Sequence, residues 1–239
     1  IADLAIVFVK STITDIAIEQ NKAVIGENTV VLTLQNGLGN IEKLLTVVKN
    51  EQIIAGTTAH GSNMLGPGRI NHAGHGATVI GELNGEISAR IKAISDLFIN
   101  AHLEPVIIST NVMGLIWDKL LVNVGVNPLT AITGLRNGQL LEYPEMEWIG
   151  SQAVLEGMKV AEAMGIKLET PDAVAHFKEV CIGTAPNISS MLADVKNKRK
   201  TEISNINGAI VREAETYNIE TPVNKVLTNL VLLKEKMYK

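Results

Sequence analysis

Apolar residues fall into short compact runs over the first hundred positions and into longer, helix-spaced stripes after that. Leu4-Ala5-Ile6-Val7-Phe8-Val9, Thr29-Val30-Val31-Leu32-Thr33-Leu34 and residues 52–58 are apolar or β-branched runs that predict buried strands. Residues 14–23 and 41–48 between them carry helical spacing. This alternation predicts right-handed crossovers and a mostly parallel sheet. From residue 61 to 85 the pattern changes. Gly66-Pro67-Gly68 marks a tight turn, and residues 69–72 and 77–81 predict two short strands paired antiparallel through Gly74-His75-Gly76. Residues 86–100 read as a helix and 104–108 as a last strand, with none beyond Ser109. Helices are then predicted at 116–130, 138–147 and 151–164, the last stopped by Gly165. Thr170 and Thr221, each followed by Pro, and Asn187 read as helix caps. The change near residues 109–112 sets a domain boundary: an α/β domain over 1–110 and an all-α domain over 111–239.

One predicted helix carries a pattern that hydrophobic burial does not explain. In Trp117-Asp118-Lys119-Leu120-Leu121-Val122-Asn123-Val124-Gly125-Val126-Asn127-Pro128, an amine and two carboxamides recur every fourth residue. That spacing puts Lys119, Asn123 and Asn127 along one stripe. Polar groups in so apolar an element are costly to desolvate unless something polar meets them, and a small polar ligand is one candidate. Pro128 disfavours α geometry at Asn127, so a kink or break is expected there.

Composition narrows the function classes. The 239 residues are 46% apolar and 19% charged, the profile of a globular protein. A net charge of −4 gives no reason to expect nucleic acid, and the short basic run Lys196-Asn197-Lys198-Arg199-Lys200 reads as a solvated helix face. No apolar run reaches the roughly 18 residues of a membrane span. The single Cys181 suits a reducing, cytoplasmic setting.

Other polar positions admit a bland reading beside a functional one. Asn36-Gly37 follows a buried strand, where open α/β sheets take ligands, but it is also an ordinary turn sequence. Asn187-Ile188-Ser189-Ser190 serves equally as a helix cap, and Glu202 pairs in sequence with Lys198 as a surface ion pair would. His72 and His75 have a loose metal-like spacing without acidic or cysteine partners nearby, so no metal is expected.

Taken together, these segments resemble the ketopantoate reductase (2-dehydropantoate 2-reductase) family. The resemblance rests on Asn36-Gly37-Leu38-Gly39, on Gly56-Thr57-Thr58-Ala59-His60 and on Gly68-Arg69-Ile70-Asn71-His72-Ala73-Gly74. It extends through the Lys119 helix to Asn127-Pro128-Leu129-Thr130-Ala131 and Asn137-Gly138. It closes with Asn187-Ile188-Ser189-Ser190-Met191-Leu192, Thr201-Glu202-Ile203 and Ile206-Asn207-Gly208. The resemblance implies NADPH-dependent reduction of 2-dehydropantoate to (R)-pantoate, a step toward pantothenate and coenzyme A, and it leaves room for a homodimer. Lys119 would protonate the ketone oxygen as general acid. Asn123, Asn127 and Asn137 would hydrogen-bond the substrate and Ser190 its carboxylate, while Glu202 would hold the substrate hydroxyl or orient Lys119. Asn36, Asn187 and Lys10 would lie on the cofactor side.

The chain departs from the family pattern at its start. The family opens with a βαβ unit carrying Gly-x-Gly-x-x-Gly, whose amides hold the pyrophosphate, and residues 1–239 contain no such segment. The expected fold is therefore a truncated Rossmann-like dinucleotide-binding domain followed by an all-α domain, with about two β-α units of ~30 residues each absent. On this expectation the 239-residue chain binds NADPH poorly and does not turn over. Two other readings stay open: a β-hydroxyacid dehydrogenase-like oxidoreductase, and a non-catalytic helical binding or dimerisation module.

Overall fold

Residues 1–238 are described by a computed structural model of the chain. The α/β part follows β1 (Leu4–Val7), α1 (Thr14–Gln20), β2 (Val30–Thr33), α2 (Asn40–Leu44), β3 (Ile53–Thr58), β4 (Gly61–Gly66), β5 (Arg69–Gly74), β6 (Thr78–Glu82), α3 (Ala89–Asn100) and β7 (Val106–Ile108). Then come α4 (Val112–Thr133), α5 (Pro144–Ala163), α6 (Ala173–Gly183), α7 (Ser190–Lys196), α8 (Asn207–Thr216) and α9 (Pro222–Lys236). Two compact units result. One holds Ile1–Gln35 and Asn40–Ile116, the other Asn36–Gly39 and the chain from Trp117 onward, so the division falls inside α4.

In the first unit a five-stranded sheet runs in the order β1-β2-β3-β6-β7. Strands β1, β2 and β3 are parallel, with Ile6 beside Leu32 and Leu32 beside Ile54. Because strand side chains alternate, each face receives its own apolar set. Leu32, Leu34, Ile54 and Ile80 pack with Ile91, Ile94 and Phe98 of α3 on one side. Val31 and Ile53 pack with Ile18 and Leu44 on the other. Covering on both faces is why β2 and β3 read as continuously apolar, whereas Ile6 of β1 stays exposed.

The region after β3 differs from the sequence expectation. Strand β5 pairs with β4, through Ser62 and His72, and not with β6. Strand β6 instead enters the main sheet, antiparallel to β3 and parallel to β7. The reason is burial. Val79, Ile80 and Gly81 find apolar partners only in the main sheet, whereas β4 and β5 form a two-stranded ribbon joined by the Gly66-Pro67-Gly68 turn. Gly-Ser-Asn is a weak strand signal, so β4 leaves almost no trace in the pattern.

The second unit is helical, built around α4, in which Trp117, Leu120, Leu121 and Val124 are buried. Phe177 of α6 wedges against α4 and α5 where both carry glycine: a Cβ at Gly125 or Gly150 would stand within 2.8 Å of its ring. Helix α4 does not break at Asn127 but continues through Pro128 to Thr133. Pro128 cannot donate to the carbonyl of Val124 four residues earlier. The Asn207 amide donates to that oxygen instead, at 3.0 Å, so the proline leaves no orphaned acceptor. Further corrections concern helix ends. Residues 138–147 are a 3₁₀ turn, Gly138–Leu141, followed by the start of a single α5. Asp172 caps α6 through Ala175 N–H, in place of Thr170, and Ser189 caps α7 through Leu192 N–H, in place of Asn187. The basic run is exposed, but α7 ends at Lys196, so most of it lies past the helix. Glu202 is buried rather than lying on a solvated surface.

A candidate active site on helix α4

Lys119, Asn123 and Asn127 sit at positions i, i+4 and i+8 of the unbroken α4, a span of about 12 Å along the helix axis. Asn127 is buried, and Lys119 and Asn123 are half-buried among the leucines and valines around them. Burial pulls the Lys119 amine down to about 8, and the carboxylate of Glu202 acts in the opposite sense, favouring the charged form. Desolvation is the larger effect, so the amine is poised to give or take a proton near neutral pH. Glu202 opens the 3₁₀ turn Ile203–Asn205 and is itself only 5% exposed.

The preceding residue shows the contrast. Asp118 is buried too, but its Oδ2 accepts from the backbone N–H groups of Glu169 and Thr170, both at 3.1 Å. Burial raises its carboxyl above the ordinary value, against those hydrogen bonds and the nearby His176. Asp118 thus fastens the turn before α6, while Lys119 carries the reactive-type environment.

Beyond Asn127 the chain is stitched to the segment before α7. The Thr130 hydroxyl lies 2.6 Å from that of Ser189, and Asn137 N–H donates to the carbonyl of Asn187 at 3.0 Å. The Asn137 amide donates to Thr184, while its Oδ1 is buried without a hydrogen-bond partner. Ser190 and Asn187 are exposed; Ser189 holds the buried capping position.

The Asn36–Gly39 loop is fixed by a residue that sequence reasoning missed. Asn205 accepts from Leu38 N–H at 2.8 Å with its carbonyl and donates to the Leu38 carbonyl at 3.0 Å with its amide. Gly37 has φ +79, and a Cβ there would stand 2.4 Å from the Asn205 carbonyl oxygen, so only glycine fits. Asn205 N–H in turn donates to the Glu202 carbonyl. The Asn36 loop and Glu202 are therefore tied to one short turn. The signal available in the sequence was only Asn205's place within the 201–208 signature.

Lys10 is exposed at the exit of β1 in the α/β unit. There the Gln35 amide donates to Val9 O and to Thr14, and Thr14 donates to Asn40. This network holds the exits of β1 and β2 together at the carboxyl ends of parallel strands, where dinucleotides bind open α/β sheets. The β4–β5 region adds another missed group: His60 joins His72 and His75, with ligand atoms of all three within 4.8 Å of one another. No helix among the described residues is long and apolar enough to cross a membrane.

Comparison with known proteins decides the family. A family model described as Ketopantoate reductase PanE/ApbA matches residues 1–85, and one described as Ketopantoate reductase PanE/ApbA C terminal matches residues 111–235. The chain belongs to the ketopantoate reductase family. A 2-dehydropantoate 2-reductase of Halobacterium salinarum is 37% identical over 98% of this chain and 77% of its own length. That of Vibrio cholerae is 33% identical over 99% of this chain and 79% of its own. Among solved structures, a PanE/ApbA family ketopantoate reductase from Ralstonia eutropha superposes with a TM-score of 0.89 at 33% identity, covering 98% of this chain and 76% of that one. A D-mandelate dehydrogenase, solved with NADH and anilino(oxo)acetate, superposes with a TM-score of 0.91 at 31% identity, covering 98% and 77%. The Rossmann-like sheet and helical second unit are thus those of this reductase family.

Proposed function

We propose that this chain carries the catalytic acid and substrate clamp of an NADPH-dependent 2-dehydropantoate 2-reductase, yielding (R)-pantoate. Relatives named for that reaction match nearly the whole chain. The observation that carries the assignment is Lys119, desolvated to about 8, acted on by Glu202 and sharing its stripe with Asn123 and Asn127.

In this reading the nicotinamide supplies hydride to the ketone carbon. As negative charge develops on the ketone oxygen, Lys119 Nζ gives that oxygen its proton and stabilises the charge before transfer. Asn123, Asn127 and Asn137 hydrogen-bond the substrate, and the buried, unpartnered Oδ1 of Asn137 is an acceptor suited to a hydroxyl. Ser190 takes the carboxylate, and Glu202 holds the hydroxyl or orients the lysine. Lys10, Asn36 and Asn187 are the residues that would hold the cofactor's nicotinamide side. The carboxyl ends of β1 and β2 and the glycine loop fit that role, whereas no Gly-x-Gly-x-x-Gly segment for its diphosphate occurs in the 239 residues. The buried, free Cys181 supports a cytoplasmic setting. For a homodimer, the supporting surface is the exposed stripe of Val226, Leu230 and Leu233 on α9 with Met237 beyond it; sedimentation at two concentrations tests that part.

The deciding experiment is Lys119→Ala in an enzyme that also carries the glycine-rich dinucleotide segment, assayed for NADPH oxidation with 2-dehydropantoate. A drop in kcat of roughly 10²–10⁴ with the circular dichroism unchanged is expected; unchanged turnover removes Lys119 from the chemistry. The likeness to a D-mandelate dehydrogenase favours one second reading, a 2-oxo acid with a bulkier apolar side chain. Comparing kcat/KM for 2-dehydropantoate and an aryl 2-oxo acid, each with NADPH and NADH, separates the two.

A further inference from the structure

We propose that His60, His72 and His75 form a binding site for one divalent transition-metal ion, of the zinc, copper or nickel type, outside the Lys119 site. His60 lies between β3 and β4, His72 within β5 and His75 just past its end. The β4–β5 ribbon sets Ser62 opposite His72 and Gly61 opposite Gly74, which draws the three rings together. His60 Nδ1 and His72 Nε2 are 2.9 Å apart. The ring centroids of His72 and His75 are 3.9 Å apart, and those of His60 and His75 6.5 Å. A tetrahedral ion about 2.0–2.1 Å from each nitrogen needs ligand atoms roughly 3.3 Å apart. The His60–His72 pair must open by a few tenths of an ångström, and the three ligand atoms, now within 4.8 Å of one another, must close around the ion by a turn of the exposed His75 ring.

The tautomers suit ligation. His60 Nε2 lies 3.3 Å from the carbonyl oxygen of Leu103, a partner to which a ring nitrogen can only donate. That contact places the His60 proton on Nε2 and turns the Nδ1 lone pair toward His72. A backbone carbonyl holding the far nitrogen is the usual second partner of a metal-bound imidazole. Between the rings, His72 Nε2 then donates its proton to His60 Nδ1, and a metal ion would take that proton's place, releasing it to solvent. A set of three imidazole nitrogens favours borderline metals over magnesium or calcium. His75 is exposed, which leaves room for water at the fourth position. The ion would clip the ribbon to the segment that follows β3.

The test is calorimetric titration of the untagged protein with Zn²⁺, with Co²⁺ as a spectroscopic probe of tetrahedral nitrogen ligation. Expected are saturation at one ion per chain, a visible cobalt band, and a zinc-dependent rise in melting temperature, since binding only to the folded state stabilises it. His60→Gln and His72→Gln should each abolish all three, whereas His176→Gln and His102→Gln should leave them intact. A melting curve without metal shows whether each variant folds. Absence of saturable binding overturns the proposal and leaves a hydrogen-bonded imidazole pair. So does saturation that survives both His60→Gln and His72→Gln, or that disappears with His176→Gln.

Discussion

Two polar layers cross the interior of the helical unit, built from the same residue types and used differently. In one, Glu156 of α5 accepts from the backbone N–H groups of Val223 and Asn224 at the start of α9, and from the Asn224 side chain. Asn224 also donates to Ala153 O and accepts from Asn207, which caps the Val124 carbonyl left by Pro128. The carboxylate is placed at a helix N-terminus, where negative charge is favoured. In the other layer, Glu202 faces a lysine whose amine burial has brought down to about 8. Both layers place carboxylates and carboxamides among leucines and valines. The first uses them to satisfy backbone groups that helix ends and a proline leave open; the second sets a carboxylate against a titratable amine. Polarity in an apolar helix therefore marks a site only after the backbone's own needs have been subtracted.

The largest difference between the two layers is expected at Lys119. Lys119→Met keeps the apolar stem and removes the charge, and kcat for ketone reduction should fall by roughly 10²–10⁴. Stability should move the other way. The folded-state value lies below the ordinary 10.5, so the charged amine disfavours folding at neutral pH. The variant should melt higher at pH 7, and its advantage should shrink as pH rises from about 8 to 10.5. In the structural layer the pattern reverses. Glu156→Ala leaves two backbone N–H groups and an amide without their acceptor and should cost about 3 kcal/mol in urea unfolding, with kcat little changed.

A smaller effect sharpens the role of Asn207. Asn207→Ala should cost about 1 kcal/mol or more, because the Val124 carbonyl loses its donor. Pro128→Ala restores a backbone N–H to that carbonyl. In that background the cost of Asn207→Ala should fall measurably in a double-mutant cycle. Strict additivity would mean that Asn207 is not compensating for the proline. The smallest expected effect is electrostatic. Glu202→Gln removes a charge that favours protonated Lys119, so the pH at which reduction begins to fail should move downward.

Much of this was legible in the chain. The runs at 29–34 and 52–58 are strands because both sheet faces are covered, which is what unbroken apolar runs encode; the run at 4–9 also forms a strand, although Ile6 and Phe8 stay exposed. The Lys119 stripe was visible because fourfold spacing survives in a continuous helix. The misreadings have a common origin in distant partners. Pro128 signals a break locally, but Asn207 removes the reason for one. Turn residues predict that strand β6 pairs with its neighbour in sequence, whereas its burial lies in the main sheet. His60 and Asn205 were invisible as site residues because each matters only through a segment folded against it. Asn187 and Thr170 looked like caps, yet Ser189 and Asp172, each two residues further on, make the actual hydrogen bonds.

Lys119 as the proton donor is tested most directly by the pH dependence of kcat/KM for ketone reduction, since that quantity reports the free enzyme. A lysine at about 8 is protonated below that value and can give its proton; above it the acid is lost. The rate constant should be level below pH 8 and fall about tenfold per unit above it. A profile that stays flat to pH 10, or rises through pH 8, would contradict the assignment.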